Sequence, residues 1–377
     1  MRGCAAVLMI LNHAGYQLLA PDDASNGVIG AAVFIGSFAP VLFFFASGFG
    51  MGLGRADGGR PPPMASTLWK ALLLVLADQA AYWSRGAPFG LDFFSFIGLG
   101  MVCLAFVARM PHPVFVSAGI VVLSLALRFA IGPAARESLP TLPLLDFALG
   151  IRGIDGVSYP FSPWIAYASG GFALGCLYPA ATRGRMAWPL AAASLGIAAL
   201  GLGAWMDWRG SAPFRWGTMN ATFFVLSVGL VATAAVACRL LTVGFPRVAR
   251  QLALGGVASF AFIPVHYALL HAMQPAVTPA SQASFFAFCA VIVLLAWALA
   301  QGFARAAASR AVLERPTLAY AFFGVSLAAF LAAVASGTFA TRPGAGFAST
   351  VAIQLMIAAL LGFRQSSTAA SRAQVRP

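Results

Sequence analysis

Residues 1–15 read MRGCAAVLMILNHAG. An arginine opens an otherwise apolar stretch, and Asn12 and His13 interrupt it near the other end. A secretory leader has an unbroken apolar core and a small-residue cleavage site, and this stretch has neither. It reads instead as the start of a membrane-crossing helix that keeps two polar side chains at depth. The rest of the chain agrees. Of 377 residues, 60% are hydrophobic and only 9% are charged, where soluble domains carry roughly a quarter charged residues. Such a chain cannot solvate its own surface in water, so lipid has to be its solvent.

Outward from that stretch, about twelve apolar runs of spanning length follow one another. They lie near 2–20, 28–53, 65–84, 90–110, 113–132, 160–179, 188–207, 218–241, 252–273, 284–304, 317–338 and 346–363. Backbone groups inside a bilayer must be satisfied within their own segment or barrel, so runs of this length predict an all-α fold. The expectation is a polytopic integral membrane helical bundle of about 10–12 transmembrane helices. Residues 54–63, GRADGGRPPP, read as a flexible loop, and 133–159 as the one long connection. One domain is expected over 1–365, with a disordered cytoplasmic tail rich in Ser, Ala and Arg over 366–377.

Charge sets the expected orientation. With the N-terminus in the cytoplasm, sixteen of the 23 Lys and Arg fall on the cytoplasmic side, whereas Asp22, Asp23, Glu137, Asp146 and Asp155 fall outside. The expected location is a bacterial inner (plasma) membrane with a cytoplasmic N-terminus. The net charge of +13 then belongs to helix ends, and nucleic acid is not expected as a partner. The five cysteines stand singly inside apolar runs with no CxxC pair, so neither a zinc site nor a disulfide framework is indicated. No metal is expected.

Arg2 and His13 are eleven residues apart. In an α-helix that is about three turns and about 16 Å, so both side chains share one face. Arg2 sits at the cytoplasmic mouth and His13 near the bilayer middle, where an ionisable group normally faces a cavity or a polar partner. Imidazole suits proton transfer, and a guanidinium suits a phosphate. A ligand with a phosphate-rich head and a long thin arm fits such a pair, and acyl-coenzyme A is one. The plainer alternative makes Arg2 a positive-inside anchor and His13 a helix–helix hydrogen-bonder.

The spacing Arg, ten residues, His on a first helix resembles the acyltransferase family 3 proteins. These are part of a wider membrane acyltransferase superfamily that includes the heparan-alpha-glucosaminide N-acetyltransferase-like proteins. Four further stretches resemble the superfamily in order: SFAPVLFFFASGFGMGLGR (37–55), YPFSPWIAYASGGFALGCLY (159–178), FRWGTMNATFFVLSVGL (214–230) and LALGGVASFAFIPVHYALLH (252–271). The resemblance runs from residue 2 to about 271. It differs in three places: Ile263 stands where family 3 members carry Tyr, the spans exceed their usual ten, and the family's aspartate before Arg-Gly has no counterpart. A start upstream of Met1 is therefore expected. The asparagine beside His13 resembles the N-acetyltransferase-like branch.

The resemblance implies transfer of an acyl group, often acetyl, from cytoplasmic acyl-coenzyme A to a carbohydrate or lipid-linked acceptor. The acyl-coenzyme A is a co-substrate, and no cofactor is implied. The family's catalytic histidine falls on His13, as base or acyl carrier, and its donor-binding arginine on Arg2. Asn12 is a candidate beside His13, but it points about 100° away and is expected to serve another helix or the tunnel wall. Asp78, an acid inside the third apolar run, needs a partner or must be neutral; it is a candidate to orient His13 or to pair with Lys70 or Arg85. Ser47 either hydrogen-bonds in the donor tunnel or sits where glycines pack helices closely. His266 matches the family's late-helix histidine and is expected to line the cavity, with Trp164 either a lid over the acceptor or an interfacial belt residue. Arg215 and His271 read as structural. Loop 133–159 is a candidate for acceptor recognition. Two other classes compete: a proton-coupled transporter with His13 and Asp78 as relays, and an inactive assembly subunit.

Overall fold

The computed structural model describes residues 1–19, 27–59, 61–131, 146–148, 156–182, 187–208, 219–257, 259–273, 281–307 and 316–374. Its regular structure is helical, and the described residues contain no strand. The helices are α1 (Arg2–Leu18), α2 (Gly27–Gly36), α3 (Ala39–Ala56), α4 (Met64–Trp83), α5 (Phe93–Val107) and α6 (Pro113–Ala126), which ends in a π turn, Leu127–Ile131. Then come α7 (Phe161–Thr182), α8 (Ala187–Trp208), α9 (Ala221–Gly244), α10 (Pro246–Val257), α11 (Ser259–Met273), α12 (Gln282–Ala307), α13 (Pro316–Ala335), α14 (Thr338–Thr341) and α15 (Pro343–Gln374).

Six stretches are long and apolar enough to cross a membrane, and three shorter apolar helices add to them, among the described residues. The fold is a polytopic membrane helical bundle. Large apolar side chains point outward along it: Phe115 is 77% exposed, Ile197 74% and Val325 71%. Water would penalise that surface, whereas lipid solvates it.

The structure departs from the sequence reading in two places. A turn at Ser37 and Phe38 divides the run 28–53 into α2 and α3, with the Ser37 hydroxyl donating to the Phe34 carbonyl at 2.5 Å. The run expected at 252–273 begins earlier, in a separate helix. α10 carries Arg247, Arg250 and Gln251 among apolar residues, so it is amphipathic, and α11 is the apolar remainder. At the C-terminal end, α15 runs as far as Gln374. Residues 364–374, RQSSTAASRAQ, hold neither Gly nor Pro to stop α15.

The chain divides into two compact units. The first comprises Phe38–Val75 and Gly90–Arg250 with Met1. Its centre is the pairing of α3 with α7, which lie backbone against backbone. A Cβ at Gly48 or Gly52 would stand 1.8 or 2.1 Å from the carbonyl oxygen of Ala168 or Phe172, and one at Gly171 or Gly175 would stand 2.2 or 2.3 Å from that of Phe45 or Phe49. Each helix thus offers two small residues four apart to the other's carbonyls. Beside this contact, Phe44 makes edge contacts with Tyr159 and Trp164 and stacks on Phe93. Asp92 and Asn220 cap α5 and α9, their side chains accepting from the amides of Phe93 at 2.9 Å and Phe223 at 2.8 Å.

The second unit comprises Arg2–Ser37, Leu76–Phe89 and Gln251–Pro377. Here α1 lies on α2 and α11, and α11 on α12 and α15. Polar side chains on α15 fasten the end of α4. Thr350 donates to the Ala80 carbonyl at 3.1 Å, and Gln354 donates to that of Ala77 at 3.0 Å.

Candidate active site

α1 is unbroken from Arg2 to Leu18, so the helical spacing of Arg2 and His13 holds. Small residues let α1 sit deep in the second unit. A Cβ at Gly3 would stand 2.1 Å from the Leu252 carbonyl oxygen, one at Gly15 2.2 Å from a Val33 methyl, and one at Gly36 2.6 Å from the Leu8 carbonyl oxygen. Ala5, Ala6, Ile10 and Ala14 are fully buried.

α1 presents His13 to α11. Nδ1 of His13 lies 2.9 Å from Nε2 of His266, and the Tyr267 hydroxyl lies 3.1 Å from Nε2 of His13. Nδ1 of His266 lies 3.1 Å from the Phe262 carbonyl oxygen, one turn back on α11. The two imidazole centroids are 5.2 Å apart with planes 8° apart. That separation is close to the sum of the hydrogen bond and the two ring radii, so the two nitrogens face each other in the ring plane.

One bond sets the direction of the others. A carbonyl only accepts, so Nδ1 of His266 carries a hydrogen. His266 is fully buried and its ring is neutral, since a buried charge is costly. Its Nε2 therefore accepts, and Nδ1 of His13 donates. Nε2 of His13 then holds the lone pair and accepts from the Tyr267 hydroxyl. The network assigns one polarity throughout: Tyr267 to His13, His13 to His266, His266 to Phe262. Such a pair holds a base in a single tautomer and spreads the charge when that base takes up a proton.

The other sequence candidates fall in different places. Asn12 turns to α2, where its amide donates to the Val33 carbonyl at 3.0 Å. Replacing Asn12 with alanine should lower stability by about 1 kcal/mol, read as a small drop in the thermal midpoint in detergent; an unchanged midpoint would discount this bond. Asp78 is buried in the second unit, on the stretch of α4 that α15 fastens. Arg2 is half-buried, at the start of α1. Ser47 and Trp164 belong to the first unit. Trp164 is fully buried among Phe44, Tyr159, Tyr167 and Phe223, which excludes an interfacial belt position. Ser47 lies half-buried beside Gly48 in the α3–α7 contact. His271 is exposed, its ring 4.3 Å from that of Phe347. Asp22, Asp23, Arg215 and most of loop 133–159 lie outside the described residues.

Tyr267 is the residue that sequence reasoning missed. Its signal was adjacency: PVHYALLH (264–271) puts a hydroxyl next to a histidine on an apolar helix. Among the described residues, no group of three or more His, Cys, Asp or Glu is placed to hold a metal.

No curated protein and no solved structure matches the chain. The comparison does not single out acyltransferase family 3, and it favours the branch that Asn12 and His13 resemble. The family model for the heparan-alpha-glucosaminide N-acetyltransferase catalytic domain matches residues 1–206, more than half of the 377 residues, and the chain belongs to that acetyltransferase family.

Proposed function

We propose that this protein moves an acyl group, acetyl on the strength of its family, from cytoplasmic acyl-coenzyme A to an amine of a carbohydrate or lipid-linked acceptor. Arg2 binds phosphate of the donor, and His13 is the base. The acceptor nitrogen attacks the thioester carbonyl carbon. His13 collects the acceptor's proton at Nε2, the carbon–sulfur bond breaks, and the proton returns to the thiolate.

The polarity of the histidine pair carries this reading. A base must hold its lone pair on one nitrogen in one tautomer, and the hydrogen bond to His266 favours that for Nε2 of His13. A proton-coupled transporter needs a group that loads from one side and discharges to the other. Here the chain of hydrogen bonds ends on the Phe262 carbonyl, which does not take up a proton at neutral pH. The pair stores a proton and gives it back along the way it came.

The test is transfer of radiolabelled acetyl from acetyl-coenzyme A to amino-sugar acceptors by the purified full chain in detergent. Arg2→Ala should raise the donor KM by roughly 10–100-fold, since a charge-assisted hydrogen bond contributes about 1.5–3 kcal/mol. Turnover at saturating donor should change far less. A wild type that transfers to neither amino nor hydroxyl sugars would overturn the proposal, and an unchanged donor KM would overturn the role of Arg2.

A further inference from the structure

The lone pair that His13 needs already has an occupant. The Tyr267 hydroxyl stands 3.1 Å from Nε2, the place a nucleophile's hydrogen would take. From this we infer that Tyr267 is a second catalytic residue, a hydroxyl relay through which the acceptor's proton reaches His13. The inference rests on the acyl-transfer reading above.

Two observations favour relay over displacement. The Tyr267 ring lies 4.6 Å from the His13 ring, at 29°, and 4.6 Å from the His266 ring, at 32°. It is thus packed on both imidazoles, and swinging the hydroxyl clear would break both contacts. A hydroxyl that donates its hydrogen also keeps oxygen lone pairs with which to take another. The direction of the network fits, since Tyr267 donates to His13 and the far end closes on the Phe262 carbonyl.

The step balances without any further reagent. As the acceptor nitrogen bonds to the thioester carbon, its proton moves to the Tyr267 oxygen, and the Tyr267 proton moves to Nε2 of His13. His13 becomes imidazolium, still donating from Nδ1 to neutral His266. The carbon–sulfur bond then breaks and the electron pair leaves on sulfur. The proton returns from Nε2 through the Tyr267 hydroxyl to that thiolate. The products are acylated acceptor and free thiol, with every enzyme group restored.

The test combines Tyr267→Phe with a proton inventory, the rate of wild-type turnover in mixtures of light and heavy water. Phenylalanine keeps the ring on both imidazoles and removes only the oxygen. The relay predicts a kcat lower by about 10²-fold, with donor and acceptor KM unchanged, and a bowed wild-type inventory from two protons moving together. If wild type is active but Tyr267→Phe keeps its kcat, or the inventory is linear, the relay is overturned and the acyltransferase reading stands. If wild type transfers nothing, the acyltransferase reading falls and the relay falls with it. Should Tyr267→Phe fail to fold, the inventory on wild type decides alone.

Discussion

His13→Ala is expected to lower kcat for acyl transfer by about 10³–10⁴-fold, the upper part of the range for losing a positioned acid–base group. On the proposed reading the loss is large because the variant removes the proton's destination, so Tyr267 would have nothing to pass a proton to. Donor binding should survive. Arg2 stands about 16 Å along α1 from His13, so the proposed phosphate contact and the proposed proton transfer occupy opposite ends of one helix face. Stability will fall as well, because truncation leaves Nε2 of His266, in a fully buried ring, without its donor; that costs about 1–3 kcal/mol. The measurement is therefore kcat beside acyl-coenzyme A affinity, on a preparation whose elution volume matches wild type. Retained affinity with lost turnover assigns the base. Retained turnover would remove His13 from the chemistry.

The bundle was legible in the sequence because membrane thickness fixes the length of an apolar helix. Residues 65–84 and 188–207 emerged as Met64–Trp83 and Ala187–Trp208, and α1 spans most of 2–20. What length does not report is a break inside a run. The turn at Ser37 and Phe38 is followed by Pro40, but the neighbouring residues are as apolar as any span. α10 was hidden because Arg247 and Arg250 read as anchors at a span's end when they belong to a short amphipathic helix of their own. The candidate site was half legible. The 3.6-residue period was enough to place Arg2 and His13 on one face, since both lie on one helix. Nothing local ties His13 to His266, 253 residues away, and nothing local says that their nitrogens meet in plane. For Tyr267 the sequence shows only a hydroxyl next to a histidine; which helix faces it is not local information. Trp164 is the converse case, with a lid and an interfacial belt position both open in the sequence. Its sequence context, PFSPW, suits a membrane interface, but its ring is enclosed by aromatic neighbours that come from distant segments.

Gly48→Ala should cost about 3 kcal/mol or more, and Gly50→Ala almost nothing, although the two positions are two residues apart on α3. The sequence offers Gly48, Gly50, Gly52 and Gly54 as an undifferentiated series. The structure sorts them by the helical period. Gly48 and Gly52 face α7, whereas a Cβ at Gly50 or Gly54 would meet nothing within 4 Å. At Gly48 the added carbon would stand 1.8 Å from the Ala168 carbonyl oxygen, 2.8 Å from its carbon and 3.0 Å from the Phe172 amide nitrogen. All three are backbone atoms, so no rotamer change makes room and the helices themselves must part. Gly52, Gly171 and Gly175 hold the same close approach, and a local separation at Gly48 would loosen each of them. It would also draw Phe44 on α3 away from Trp164 on α7, opening the aromatic cluster whose rings now stand 6.0 Å apart at 89°. At Gly50, alanine should be neutral or stabilise slightly, because it lowers the entropy of the unfolded chain in a position that is already helical. Thermal melting of the two variants in one detergent, with size-exclusion profiles, makes the comparison. A low midpoint or aggregation for Gly48→Ala beside a wild-type profile for Gly50→Ala establishes the α3–α7 contact as backbone packing. Equal midpoints would mean that the helices stand further apart, and Ser47, next in the chain, would then be free to serve a ligand instead of a helix seam.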